Sequence, residues 1–170
     1  MHWLLAIPQI IVAAVLYYVS EVLALVSFFT VLFVKNVPEG IYNFQVMVLR
    51  YQWRVWTYQY WMREPYPPFT FDMVQADPGT DPASLSISRP PEMARWRCLQ
   101  WFLLIPQVIV LFFVGIAALV VLIISWFAVI ITGKYPEGMR RFLVGWLRWT
   151  MRVHAYAYFL GDKYPPYSLE

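Results

Sequence analysis

Residues 3–34 read WLLAIPQIIVAAVLYYVSEVLALVSFFTVLFV, and residues 101–132 read WFLLIPQVIVLFFVGIAALVVLIISWFAVIIT. Neither run holds a Lys, Arg, Asp or His; the first carries one charge, Glu21, and the second none. A helix needs roughly 20 apolar residues to cross a hydrocarbon core, and both runs are longer. They predict an integral membrane protein. The chain is 61% hydrophobic, 19% aromatic and 14% charged, whereas soluble domains are about 25% charged. The net charge of +3 comes from Lys and Arg that flank the apolar runs, which points to anionic lipid headgroups rather than to nucleic acid. Cys98 is the one cysteine, so neither an intrachain disulfide nor a cysteine metal cluster is expected. A secretory signal joins a basic start to an apolar core of about 7–15 residues; Met1-His2-Trp3 and the long run behind it have neither.

The two runs open two copies of one unit, offset by 98 residues without gaps: positions 3–70 match 101–168 at 25 of 68 sites. Ile7-Pro8-Gln9 returns as Ile105-Pro106-Gln107, Pro38-Glu39-Gly40 as Pro136-Glu137-Gly138, and Tyr66-Pro67-Pro68 as Tyr164-Pro165-Pro166. The chain divides into a first membrane repeat at 1–68, a linker at 69–94 and a second repeat at 95–170. Each repeat starts with an apolar helix in which Pro8 or Pro106 suits the first turn or marks a kink. A Pro-Glu-Gly turn follows, then a second helix over 39–62 or 137–160, with Glu39 or Glu137 at its N-terminus where the helix dipole favours a carboxylate. Two prolines stop it.

The second helix is amphipathic. Arg50 and Arg54, and in the other copy Arg148 and Arg152, form a narrow basic stripe one turn apart. Ile41, Phe44, Val48, Tyr51, Val55, Tyr58 and Met62 lie opposite at spacings of three and four. This pattern predicts a helix lying in the membrane interface, its arginines reaching water, lipid headgroups or an ion-pair partner; a second spanning helix is the alternative. In the linker, Phe71 and Val74, then Leu85 and Ile87, flank Asp77-Pro78-Gly79 and Asp81-Pro82 turn signals, so it reads as a small extra-membrane β-hairpin or a plain connector. The fold class is therefore an all-α integral membrane protein: a tandem repeat of a long transmembrane helix or hairpin plus an interfacial helix, with a short extended linker.

If each run crossed once and the second helices lay flat, seven basic residues over 35–97 would face six over 134–163 across the bilayer. That split lacks the asymmetry of the positive-inside rule. Intramembrane hairpins, or two spans per unit, would put both units in one orientation, and a hairpin would let Glu21 escape the bilayer centre, where a charge costs at least ~2.5 kcal/mol.

The order Trp-x-Leu-x-Ile-Pro, then Thr132-Gly133-Lys134-Tyr135-Pro136-Glu137-Gly138, Arg148-Trp149, Arg152-Val153, Ala155-Tyr156 and Tyr164-Pro165-Pro166-Tyr167-Ser168-Leu169 resembles an uncharacterised bacterial membrane family, domain of unknown function 4389, whose members often carry two such units. The likeness is closest over 95–169; in the first unit Val34-Lys35-Asn36-Val37-Pro38 replaces the Thr-Gly-Lys-Tyr-Pro turn. The resemblance implies a membrane fold and a bacterial inner (cytoplasmic) membrane. It implies no activity.

No catalytic constellation is visible: no phosphate loop, no zinc-protease helix, no nucleophile elbow. No cofactor is called for, and His154 is only a weak candidate for an axial ligand, an interfacial histidine being the plainer reading. Glu21 is the sharper candidate, since an intramembrane carboxylate can handle protons or cations or pair with a partner's arginine; its repeat mate is Leu119. The expected function is a non-enzymatic membrane scaffold or accessory subunit, bound to other membrane subunits or to copies of itself. Alternatives are a lipid-binding or membrane-shaping protein using the arginine pairs with anionic lipid, and a small ion or solute transporter using Glu21.

Overall fold

The computed structural model describes residues 2–74, 76, 77, 79, 81, 83–90, 93–161 and 163–169. It contains four long helices, α1 (His2–Val34), α2 (Glu39–Gln59), α3 (Gln100–Thr132) and α4 (Glu137–Ala157), with a short 3₁₀ helix, Arg95–Leu99, before α3. There is no strand among the described residues. Both α1 and α3 are long and apolar enough to cross a membrane. Each is one continuous helix, not a hairpin, because the runs hold no turn chemistry: Gly115 continues as helix, packed against Trp146.

α2 folds back antiparallel along α1. Val31, Val37 and Tyr42 share one end of the core, while Tyr51 donates to Gln9 near the other. α4 does the same on α3: Ser125 meets Met139 at 3.3 Å, and Trp149 Nε1 donates to Gln107 Oε1 at 2.9 Å. The helix ends repeat too. Lys35 and Gly133, repeat mates just past α1 and α3, are both left-handed, with φ of 60° and 66°. Trp61 and Phe159, mates after α2 and α4, share φ near that value, 55° and 62°. Each is followed by a backbone bond that closes the helix, Met62 N to Thr57 O and Leu160 N to Ala155 O, both 2.9 Å.

The two hairpins join through α2 and α4, which also run antiparallel. Arg140 donates to Met62 O at 3.0 Å, Tyr60 lies against Trp146, and Trp56 faces His154, centroids 6.4 Å apart. Trp56 and His154 are repeat mates, so an approximate two-fold axis passes beside them. A two-fold that exchanges antiparallel neighbours stands perpendicular to their common plane. α1 and α3 therefore sit on the same face of the α2–α4 layer, running in opposite directions. The reversal is one of direction within the layer, and both units present the same face. Its cause is the linker, which climbs the outside of α2: Arg54 holds Thr70 at 2.7 Å, Arg89 holds Val37 O at 2.7 Å, and Met93 N reaches Lys35 O at 3.1 Å. The chain thus enters α3 beside the end of α1, where Trp101 stacks on Phe28.

Of the two readings of the linker, a β-hairpin or a plain connector, the described residues show no strand; Gln75, Pro78, Thr80 and Pro82 lie outside them. The linker's backbone acceptors serve α2 side chains instead of a facing strand: Tyr42 donates to Ile87 O at 3.2 Å and Arg50 to Leu85 O at 3.4 Å.

Candidate functional site

The arginine stripes occupy two different environments. Arg50 and Arg54 do not reach water or headgroups from α2; they are 3% and 2% exposed, covered by the linker. Arg50 Nε lies 3.2 Å from Asp77 Oδ2, and Arg54 Nη2 lies 3.4 Å from Asp77 Oδ1. Arg50 also donates to the carbonyls of Asp72 and Val74. The Asp77 carboxylate accepts from Gly79 N at 3.0 Å and Leu85 N at 2.8 Å. Burial alone would raise its pKa, but these amides and then the two guanidiniums outweigh it and hold the carboxyl below its ordinary value. A second buried carboxylate, Asp81, takes Arg63 at 2.6 and 2.9 Å.

Arg148 and Arg152 stand at the same positions of α4, facing away from α3. Arg148 is exposed and Arg152 half-buried; Arg152 donates to Ser168 O at 2.9 Å. Burial, then the adjacent Arg148 charge, push the Arg152 guanidinium down from its ordinary value. Both line an open cleft of about 1020 Å³ between α4 and linker residues 83–88. Arg63, Arg140 and Lys163 also line it, over a floor that includes Trp53, Met62 and Met151, and no acid lines it among the described residues.

Glu21 accepts from Tyr158 Oη at 2.8 Å, across the seam between the hairpins. Burial, then the Glu21 bond and charge, push the Tyr158 phenol up. His154 points Nδ1 at Thr150 O, 2.8 Å away in its own helix, and is ringed by Tyr17, Trp56 and Tyr158 at 6.1, 6.4 and 6.0 Å. Glu21, His154 and the arginine stripes therefore do not converge on one centre.

Sequence reasoning missed the pair of glutamines. Gln9 and Gln107 are 0% exposed. Gln9 donates to Pro67 O at 2.7 Å and Gln107 to Pro165 O at 2.5 Å, while each side-chain carbonyl accepts from the second helix, from Tyr51 or Trp149. One amide thus ties the three segments of a unit together. The signal was present: a glutamine kept in both copies of an otherwise apolar run needs buried partners. Asp77 was read as a turn residue, and its side chain proves to be the counter-ion of the first stripe.

Two inverted helical hairpins, each built on a membrane-length helix and closed by a buried glutamine, define an internally duplicated helical module. The chain belongs to the family described as a domain of unknown function (DUF4389), whose model matches it twice, over 1–70 and 97–168. No curated protein and no solved structure matches it.

Proposed function

We propose that the protein is a non-enzymatic membrane scaffold or accessory subunit, seated in the bilayer by α1 and α3 and presenting the α2–α4–linker layer to water. The observation that carries this reading is the separation of the two faces. α1 and α3 leave large apolar side chains exposed along their length, among them Phe33 at 73%, Phe102 at 70% and Ile131 at 79%. The other face of the α2–α4 layer carries Asp77, Asp81, Arg63, Arg140, Arg148 and Lys163. The linker follows α2 from Arg54 to Val37, about 25 Å of helix at 1.5 Å per residue. If α1 crossed upright, that charged length would stand in hydrocarbon. With both apolar helices lying within one leaflet, the polar layer falls at the headgroups and the aqueous side.

A scaffold of this kind holds other chains. Gentle detergent solubilisation from native membranes, followed by native mass spectrometry, tests it: a complex with other subunits or a defined homo-oligomer is expected. A detergent-stable monomer carrying no partner overturns it. Lipid binding is the second reading, favoured by the basic cleft beside the interfacial layer; anionic phospholipid retained on that monomer would support it.

A further inference from the structure

We infer that Glu21 and the exposed ridge of α1 around it form a docking site for an apolar helix of another membrane chain, one that carries a Lys or Arg opposite the carboxylate. The inference rests on the scaffold reading and names the chemistry of the partner. Glu21 is the only charged residue at positions 3–34, and it is exposed. From α4, Tyr158 Oη donates to Glu21 Oε1 at 2.8 Å, and Tyr17, one turn earlier on α1, flanks the same carboxylate. Both phenols are neutral: they fix where the carboxylate points and supply no counter-charge. The imidazole of His154, beside both phenols, turns its Nδ1 to Thr150 O. Among the described residues no Lys, Arg or His forms an ion pair with Glu21. A carboxylate on an apolar surface within a bilayer is costly until a cation meets it, so the complement has to come from outside the chain.

The surface around Glu21 suits a helix. Ile11, Ala14, Tyr18, Glu21 and Leu25 are all exposed, and they follow the alternating spacing of three and four residues along which two helices pack side by side. Ala14 is small enough to let a second backbone come close. A single polar group in such a seam sets register and partner choice. The matching ridge of α3 lacks both features. Phe112 stands at the position of Ala14 and Leu119 at that of Glu21, both exposed, which leaves a bulky apolar surface without charge. A second copy of the chain cannot supply the cation through its apolar helices, because neither run holds a Lys or Arg to set against Glu21. An ammonium or guanidinium on a different chain would take the carboxylate lone pairs that Tyr158 leaves over.

The probe is a dansyl-labelled Leu/Ala helix of about 18 residues with one central Arg, short enough to lie beside α1. It is added to the full chain in phosphatidylcholine vesicles, and energy transfer from the protein's tryptophans reports association. A control peptide carries Gln in place of the Arg. The Arg peptide should bind about tenfold more tightly than the control. That preference should vanish in Glu21→Gln, whose side-chain carbonyl can still accept from Tyr158. The peptide exchange leaves the protein untouched, so it decides the matter even if Glu21→Gln fails to fold. Equal association of the two peptides with the native chain, absent binding included, overturns the inference. A preference that persists in a folded Glu21→Gln does so too. Loss of the preference when phosphatidylethanolamine, whose ammonium donates hydrogen bonds, replaces part of the phosphatidylcholine assigns Glu21 to a lipid headgroup and also overturns it. Native mass spectrometry showing a complex, alongside a chain that does not distinguish the peptides, would leave the scaffold standing and remove only this site.

Discussion

Asp77→Asn removes one charge and preserves shape, so it isolates what the buried carboxylate contributes. In the native protein Asp77 faces two guanidiniums whose side chains are 4% and 3% exposed. Removing one partner of a buried ion pair costs about 3–5 kcal/mol, because the remaining charge stays out of water without compensation. Arg50 retains its three carbonyl acceptors and Arg54 its bond to Thr70, which favours the lower end, about 3 kcal/mol. For a chain of this size each kcal/mol moves the melting temperature by about 2–4 °C. The variant should therefore melt about 6–12 °C lower, measured by near-UV circular dichroism in detergent. The companion Arg148→Gln, at an exposed position with no described ion pair, should stay within about 0.5 kcal/mol of the parent. If Asp77→Asn melts within about 1 °C of the parent, the linker is not held by its carboxylate and the reasoning fails.

Acid should loosen the same contact. Because the folded Asp77 pKa lies below its ordinary value, its contribution is complete above about pH 4 and is lost as pH falls below that; the melting temperature of the parent should drop there more than that of Asp77→Asn. Gln107→Leu strands the Trp149 indole N–H and the Pro165 carbonyl in the interior, at about 1–3 kcal/mol for each group, and chemical unfolding should report the sum. Lys35→Gly relieves a left-handed side chain where its mate is already Gly133, and should raise stability by up to about 1 kcal/mol in the same assay. On the proposed reading, which lays α1 and α3 within a single leaflet, reporter tags after residue 35 and after residue 133 should both be reached from one side of the membrane; labelling from opposite sides would mean that the helices cross.

The sequence carried the repeat, the four helices and the two apolar runs clearly, because each depends on local pattern: proline and glycine punctuation, and hydrophobic runs that no turn interrupts. The second helices began at Glu39 and Glu137 as read, but ended at Gln59 and Ala157, earlier than the expected 62 and 160, since the left-handed residues Trp61 and Phe159 close them. The position of α2 was not legible. Its arginine stripe reads as reaching water, lipid headgroups or an ion-pair partner; for Arg50 and Arg54 it is an ion pair, with Asp77, but which residue supplies it is set by the linker's path in tertiary packing rather than by periodicity. The orientation of the units was equally hidden, because a direct repeat in sequence is compatible with either parallel or inverted units in space. What fixes the inversion is the rise of residues 70–93 along α2, and nothing in that stretch's composition announces its direction.

Where Trp56 meets His154, two positions that would be identical in a perfect duplication touch across the axis. In a dimer of single units every such residue would meet its own copy, and any change would be felt twice. Joining the units in one chain lifts that constraint. A bulky indole can face an imidazole, a carboxylate at position 21 can find a phenol while its counterpart at 119 stays leucine, and one arginine pair can be sealed by the connecting segment while in the other Arg148 stays exposed and Arg152 bonds Ser168. The molecule is in this sense a dimer whose halves have been free to diverge.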